Sequence, residues 1–182
     1  ALAFAMVLLV AGNETTTNLI SNMLNILADR PDFWRRLRDD RALVETCIEE
    51  TLRYDSPVQM LGRSVTKPVE IRGQQLEAGD RVVVLFGSAN RDDSEFPDGD
   101  QFDIARDLSL HVAFGYGIHY CLGAPLARTE ARIALNALLD TYECIEKAGP
   151  GHRTTSPIIH GFESLTLRAT PALLAAKQPL AV

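Results

Sequence analysis

The most constraining feature of this sequence is the decapeptide FGYGIHYCLG at residues 114–123, which holds three glycines, one histidine and one cysteine. Glycine loses more conformational entropy on folding than other residues, so such a cluster indicates a backbone that turns tightly or lies close to another group. Cys121 comes directly before a strongly helical segment. The free amide groups at a helix N-terminus favour a thiolate. The decapeptide therefore predicts a tight loop that presents a ligating or reactive sulfur.

Several uses of this sulfur can be compared. A nucleophilic cysteine needs a base, but His119 stands only two residues away and would not face Cys121 in a turning chain. Zinc requires three or four ligands, and the neighbouring sequence does not cluster them. An iron held by a porphyrin needs one protein ligand. The glycines would then let the backbone approach the flat ring, Phe114 would shield the sulfur, and His119 would donate to a propionate. A structural cysteine beside a tight turn remains the open alternative.

Composition narrows the class of protein. The 182 residues are 46% hydrophobic and carry a net charge of −6, which fits a globular protein with a sizeable core. An acidic balance argues against nucleic acid or an anionic membrane as the main partner. The cysteines, Cys47, Cys121 and Cys144, lack paired zinc spacing and are odd in number. We therefore expect no disulfide framework and a reducing compartment, the cytoplasm.

The first stretch, ALAFAMVLLVA at residues 1–11, is entirely apolar. It is too short to span a bilayer. It also lacks the basic region and the cleavage site of a signal peptide, and there is no initiating methionine. We therefore expect a buried helix that is entered partway, in a piece of a longer chain.

Hydrophobic periodicity predicts helices over about residues 1–30, from Pro31, over 41–55 and over 123–143. The predicted inner faces are Leu19, Met23 and Ile26 or Leu27 in the first, Leu43, Cys47, Ile48 and Leu52 in the third, and Leu126, Ile133 and Leu138 in the last. Turn signals predict hairpin strands over 69–87 and a final hairpin over 156–170, with an irregular segment at 87–113. The predicted fold class is mainly helical with small β-sheets.

Two side-chain pairs also follow from helical spacing. Glu50 and Arg53 are three residues apart and can form an ion pair, which on a surface contributes less than about 1 kcal/mol. Thr15 stands four residues after Ala11, so its hydroxyl can bond to the Ala11 carbonyl and loosen the helix beside Gly12. A polar stripe on a long helix is the alternative for Thr15.

At these stretches the sequence resembles the soluble bacterial cytochrome P450 monooxygenases. FGYGIHYCLG resembles their haem-binding loop, and AGNETT at 11–16 resembles the oxygen-activating segment of their long central helix. EETLR resembles their Glu-x-x-Arg helix, and FPDGDQFDIARD resembles the meander whose arginine, here Arg106, joins that pair. The resemblance covers nearly the whole chain but about the C-terminal half of the family's fold. It implies that residues 1–182 are the C-terminal portion of one domain, inactive without the N-terminal half.

The resemblance also implies roles for individual residues. Cys121 would be the axial thiolate ligand of haem b, Glu14 and Thr15 would organise proton delivery, and the Glu50–Arg53 pair would be buried. The family more often has Asp at the position of Glu14. Glu is one methylene longer, which changes the length of the proton relay. The residues implied to contact haem are Ala11, Gly12, Arg63, Phe114, Gly115, His119, Cys121 and Gly123. The implied pocket walls are Val58, Gln59 and Met60 on one side and Ile158 and Ile159 on the other.

The activity implied is insertion of one oxygen atom from dioxygen into a small organic substrate, by hydroxylation or epoxidation. Electrons would come from a separate ferredoxin and ferredoxin reductase. Arg128 and Arg132 lie on one helical face and could steer an acidic ferredoxin. The alternative is that these arginines only form a solvated face. Two rival functions stay open. One is a haem-thiolate peroxygenase or isomerase, and the other is a non-catalytic helical domain with a structural cysteine.

Overall fold

A computed structural model describes residues 2–108 and 110–172 of the chain. The helices are α1 (Leu2–Ala28), α2 (Pro31–Asp39), α3 (Leu43–Tyr54), the short α4 (Phe86–Ala89) and α5 (Ala124–Thr141). The strands are β1 (Met60–Ser64), β2 (Val69–Ile71), β3 (Gln74–Leu76), β4 (Arg81–Leu85), β5 (Tyr142–Lys147), β6 (His152–Arg153), β7 (Phe162–Ser164) and β8 (Leu167–Pro171). A single 3₁₀ turn at Gly117–His119 interrupts the loop before α5.

The predicted helices form where the sequence places their signals. Pro31 occupies the first turn of α2, where its missing N–H is not needed. The helix ends with basic residues, Arg36 and Arg38, in its last turn, which complements the helix dipole. In α3 the predicted stripe faces inward, with Cys47, Ile48 and Leu52 fully buried.

The described sheets are antiparallel pairs of strands. β2 and β3 form the predicted hairpin, and its turn places Arg72 and Gly73 at positive φ. β1 pairs with β4 along its whole length, with Leu61 opposite Val84. β5 pairs with β8, and β6 with β7. The prediction of a final hairpin over 156–170 is therefore wrong: β7 and β8 pair with strands that precede them, and a local turn signal cannot specify a partner.

One hydrophobic core joins the C-terminal half of α1 to α2, α3 and α5. Its fully buried side chains include Leu19, Met23 and Leu27 of α1, together with Trp34 and Leu37 of α2. The apolar start of α1 is different, because Leu2, Phe4 and other side chains there are exposed among the described residues. The described residues leave this part of α1 uncovered, since α2, α3 and α5 pack only further along it, and its burial in a longer chain stays a prediction.

The predicted inner face of α5 is wrong at Leu126 and Ile133, whereas Leu138, the third predicted residue, is partly buried against the core. Leu126 and Ile133 are 61% and 63% exposed, and Ala131, Leu135 and Leu139 are buried instead. At 100° per residue the two sets lie almost on opposite sides of the helix. Both sides of α5 carry apolar residues, so periodicity alone did not select the side that packs on α1 and α3.

Candidate active site

The loop before α5 folds as a tight turn around Cys121. Gly115 and Gly117 have φ of 75° and 69°, a region that favours glycine. The Gly115 N–H donates to the Val112 carbonyl at 2.8 Å, and the Cys121 N–H donates to the Phe114 carbonyl at 3.0 Å. These bonds close the loop and leave the Cys121 side chain exposed just before the first turn of α5.

The Cys121 thiol opens into a largely apolar cavity of about 430 Å³. Its walls come from α1, the end of α3, strands β1 and β4, and the Cys121 loop. Seven predicted site residues line it: Ala11, Thr15, Arg63, Phe114, Gly115, His119 and Cys121. Residues as distant in sequence as Thr15 and Cys121 therefore share one space.

Three other predicted site residues lie outside the cavity wall. Gly12 and Glu14 are exposed on α1, and a Cβ placed on Gly12 would meet nothing within 4 Å. Gly123 lies behind the sulfur, where a Cβ would be 3.9 Å from the Cys121 Sγ. Their roles toward haem or protons stay predictions.

Thr15 bonds to its own helix as its spacing predicts. Its Oγ1 donates to the Ala11 carbonyl oxygen at 2.7 Å. The hydroxyl proton is thereby committed to α1, and the oxygen keeps lone pairs that can accept a bond from a molecule in the cavity. Thr15 is only partly buried, so such a molecule can reach it.

The pocket walls match the sequence predictions in part. Val58 lines the cavity, but Gln59 donates from Nε2 to the Ser56 carbonyl at 2.7 Å, and Gln59, Met60, Ile158 and Ile159 are not on its wall. Sequence reasoning missed Leu19, Leu52, Leu61, Val84 and Phe86, which are on the wall. Strand alternation could have found Leu61, because it lies two residues before Arg63 and so shares its face of β1.

A buried ion pair supports the segment that leads into the Cys121 loop. Arg53 bonds to both oxygens of Glu50, at 2.7 and 2.8 Å, and neither side chain has any exposed surface. Arg53 also donates to the carbonyls of Asn90 and Gly99, each at 2.7 Å, and of Gln101 at 2.9 Å. The structure thus places the predicted pair in the core rather than at the surface.

Arg106 joins this pair as predicted. Its Nε lies 3.7 Å from Glu50 Oε1, and its Nη1 donates to the Pro97 carbonyl at 2.5 Å. Glu50 Oε1 also accepts the Asp103 N–H at 2.8 Å. The carboxylate therefore holds the irregular segment around Asp103 and Arg106.

The adjacent carboxylate, Glu49, faces α5 instead. Its oxygens accept bonds from Arg128 Nε at 2.6 Å and Nη2 at 2.8 Å, and Glu49 Oε2 lies 2.9 Å from His111 Nε2. Burial raises the pKa of Glu49, but the hydrogen bonds and charges of Arg128 and His111 outweigh it and lower the pKa to about 2. The same contact raises the pKa of Arg128. Glu49 was not singled out from the sequence, and no local pattern marks its partner.

The donor set at Cys121 fits a porphyrin-bound iron better than a metal held by protein alone. Among residues 2–108 and 110–172 no group of three or more His, Cys, Asp or Glu side chains could enclose a metal ion. Cys121 instead offers a single exposed sulfur on a flat, glycine-rich turn, with the Arg63 guanidinium and the His119 ring on the same cavity wall. One thiolate with a guanidinium and an imidazole ring on the same cavity wall suits an iron macrocycle that carries carboxylates.

Comparison with known proteins identifies the family. Residues 1–161 match the family model described as Cytochrome P450. The chain is 45% identical over 172 residues to Cytochrome P450 109 of Bacillus spizizenii, an alignment that covers 93% of this chain and 42% of that protein. It is 45% identical over 173 residues to the cytochrome P450 monooxygenase PikC of Streptomyces venezuelae, covering 92% and 41%. The chain belongs to the cytochrome P450 family, whose cofactor is haem held by a cysteine thiolate.

The fold agrees with that assignment. The crystal structure of CYP109E1 from Bacillus megaterium in complex with corticosterone superposes with a TM-score of 0.87 at 44% identity, over 91% of this chain and 45% of that one. The predicted fold class is therefore confirmed. The chain spans about two fifths of the length of the curated relatives it matches. None of its described helices is long and apolar enough to cross a bilayer.

Proposed function

We propose that the full-length protein is a haem-thiolate monooxygenase that inserts one oxygen atom from dioxygen into a small organic substrate by hydroxylation or epoxidation. The observation that carries this proposal is the shared cavity, in which the Cys121 thiol, the Arg63 guanidinium and the Thr15 hydroxyl meet between apolar walls. The relative PikC carries the name of a monooxygenase. When bound, haem supplies the iron at which dioxygen is activated.

The residues of the loop and of β1 hold the cofactor in this proposal. Cys121 would hold the haem iron through its sulfur, and a thiolate ligand would supply electron density to that iron. Arg63 and His119 bond to the propionates, and the planar guanidinium suits a carboxylate. Phe114 keeps water from the sulfur. Gly115, at positive φ, would let the loop backbone approach the cofactor closely.

Residues of α1 supply protons on the opposite wall. Thr15 donates to Ala11 and can accept a bond from one ordered water, so it holds that water at a defined point in an apolar space. Glu14 precedes it on an exposed face and passes protons from solvent toward that water. Ala11, on the cavity wall, is small enough to admit dioxygen beside the helix.

The apolar walls favour an uncharged organic substrate. Leu19, Leu52 and Val84 offer it hydrocarbon surface. The similar structure of CYP109E1 was solved with corticosterone, which is a molecule of that chemical class. Ferredoxin and ferredoxin reductase are the proposed electron donors, and the cytoplasm is the proposed location.

Two rival functions make different predictions. A peroxygenase would turn over with hydrogen peroxide alone at the rate seen with dioxygen and reductase, whereas a proton-delivery pair such as Glu14 and Thr15 favours dioxygen chemistry. A non-catalytic domain would keep its cysteine as a core residue. Cys121 is exposed on the cavity, whereas Cys47 is fully buried, so the structural cysteine is Cys47.

The ferrous–carbonyl spectrum of the full-length protein tests the proposal. We expect a strongly red-shifted Soret band that is lost in Cys121→Ser and kept in the control Cys144→Ser, whose thiol is also partly accessible. A normal Soret position in the parent protein, or haem absent from it, would show that the proposed function is wrong. Product formation that depends on dioxygen and a reductase would then separate a monooxygenase from a peroxygenase.

A further inference from the structure

Glu49 joins three segments beside the Cys121 loop, although neither it nor its partners His111 and Arg128 line the cavity. It belongs to α3, Arg128 to α5, and His111 to the segment that enters the loop. The Glu49 side chain is 25% exposed and that of His111 only 5%. A carboxylate that binds two partners at this depth fixes their positions more firmly than a solvated one.

The contacts at its two ring nitrogens also fix the orientation of His111. The Ala113 N–H donates to His111 Nδ1 at 3.3 Å, so that nitrogen is an acceptor. Nε2 therefore carries the proton and donates it to Glu49 Oε2 at 2.9 Å. The His111 ring is held at both nitrogens, and its orientation depends on Glu49.

Arg128, which Glu49 holds in place, in turn contacts the ring of Phe114. Its guanidinium carbon lies 4.5 Å from the centroid of the Phe114 ring, and its Nη1 donates to the Tyr120 hydroxyl at 3.2 Å. The ring of His111 lies 6.5 Å from that of Phe114 on the other side of this contact. Phe114 in turn accepts the Cys121 N–H through its carbonyl oxygen. An unbroken chain of contacts thus runs from Glu49 to the cysteine.

Charge adds a second effect. Arg128 is a permanent cation, and Glu49 neutralises it at 2.6 Å. Loss of the carboxylate would leave an unpaired positive charge beside the loop, and a positive charge stabilises the more reduced, more negative state of a nearby redox centre. Loss of the contact geometry would free Phe114 as well.

We propose that Glu49 is a positioning residue for the Cys121 thiolate: it holds His111 and Arg128, and through them Phe114, and so sets the reduction potential of haem bound at Cys121. This inference rests on the proposed function, because it assumes haem at that cysteine. It concerns the electron affinity of the site and not the identity of the substrate.

The chain offers a matched control for Glu49. One turn earlier on α3, Glu45 pairs with Arg132 of α5 at 3.1 Å, but that pair is open to solvent, with side chains 72% and 49% exposed. Glu45→Gln removes the same charge as Glu49→Gln without touching His111 or Phe114. We expect Glu49→Gln to shift the midpoint potential of the full-length holoprotein upward, by several times the shift in Glu45→Gln.

A second pair of variants separates the effect of the contact geometry on the potential from the effect of charge. This pair also tests the inference if Glu49→Gln does not fold. Arg128→Lys keeps the charge but loses the two-pronged bond and the flat stack on Phe114, and Arg132→Lys is its control. We expect Arg128→Lys to shift the potential and to broaden the ferrous–carbonyl Soret band, and Arg132→Lys to do neither. Equal shifts within each pair would overturn the inference while the parent band still supports the proposed function. A parent protein without that band would overturn both.

Discussion

Thr15 Oγ1 donates to the Ala11 carbonyl oxygen 2.7 Å away, on the helix wall of the cavity that faces Cys121. This bond gives a main-chain carbonyl of α1 a side-chain donor as a further partner. It leaves the threonine oxygen as an acceptor at the cavity surface. The position of one hydroxyl is thereby fixed relative to the sulfur, and the next two predictions depend on it.

Thr15→Ala should uncouple oxygen consumption from product formation in the full-length protein. The variant loses the acceptor that holds an ordered water, but Ala keeps the helix and the apolar wall. We expect haem content, substrate binding and oxygen uptake to remain, product to fall by about tenfold or more, and hydrogen peroxide to appear in its place. Product, peroxide and oxygen are measured in one reaction. Thr17→Ala, an exposed threonine that bonds to the Asn13 carbonyl in the same way, is the control. An unchanged yield of product per oxygen in Thr15→Ala would contradict this role.

Glu14→Gln should have a different signature. The substitution removes an ionisable group and leaves the Thr15 hydroxyl in place, so proton supply slows while the water site persists. We expect slower oxygen consumption with a product yield per oxygen close to that of the parent protein. A kinetic solvent isotope effect on oxygen uptake should increase. Uncoupling like that of Thr15→Ala would argue instead that Glu14 orders the water.

Arg53→Met should strongly destabilise the protein. The substitution leaves the buried Glu50 carboxylate with Arg106, 3.7 Å away, as its cationic partner and removes the donors to three carbonyls. Breaking a buried pair costs about 3–5 kcal/mol. The control is Arg168→Met, because Arg168 and Glu146 form a pair at 2.7 Å with side chains 67% and 58% exposed. That exposed pair should contribute less than about 1 kcal/mol. Urea unfolding of both variants measures the difference, and similar midpoints would contradict a buried brace.

Asp55 should make stability depend on pH in the acid range. Burial raises its pKa, but bonds and charges from His160 and Arg153 outweigh this and lower the pKa below the ordinary value. A carboxyl with a lowered pKa in the folded state stabilises the protein above its unfolded pKa of about 3.9, and that stability is lost as the pH falls through the folded pKa. Asp55→Asn should therefore be less stable at neutral pH and show a flatter decline below about pH 4. Thermal midpoints between pH 3 and 7, with the exposed Asp140→Asn as control, test this; parallel curves for the parent and Asp55→Asn would contradict it.

Electron delivery should respond to Arg132 more than to Arg128. The sequence suggests both as steering residues, but Arg128 is bonded to Glu49 in two places, whereas Arg132 is 49% exposed beside a loosely held Glu45. If an acidic ferredoxin docks on this face of α5, Arg132→Gln should slow reduction at low salt, and the effect should shrink at high salt as screening increases. Stopped-flow reduction at two ionic strengths measures it. An effect independent of salt would argue against steering.

The cavity could be predicted from the sequence to the extent that its residues carry local signals. The glycines of the Cys121 loop, the Ala11–Thr15 spacing and the buried stripe of α3 are patterns within a few residues, and the structure places them as expected. Arg63 followed only from resemblance, since a lone arginine after a turn carries no pattern of its own.

The missed features depend on contacts between distant segments. Glu49 and Glu50 are the same residue type and are adjacent in the sequence. Glu49 nevertheless bonds to Arg128, 79 residues away, whereas Glu50 bonds to Arg53, three residues away. Which carboxylate turns which way depends on the rotation of α3 against α5, and helix periodicity predicts that rotation poorly when both faces are apolar. The errors in the predicted face of α5 and in the partners of β7 and β8 also arise because packing and pairing depend on segments that are distant in sequence.

The bonds of Arg53 also have a consequence for the order of folding. They connect α3 to carbonyls 37, 46 and 48 residues further along the chain, so three nested loops must close before the guanidinium is satisfied. Closing loops of this length has an entropic cost that local helix formation does not have. During refolding, α3 can gain helical structure early, while Arg53 stays hydrated until the irregular segment arrives. The amides of residues 90–103 should then acquire hydrogen-exchange protection in a single late step, together with the burial of Arg53. This step should precede the one in which the turn around Cys121 becomes rigid.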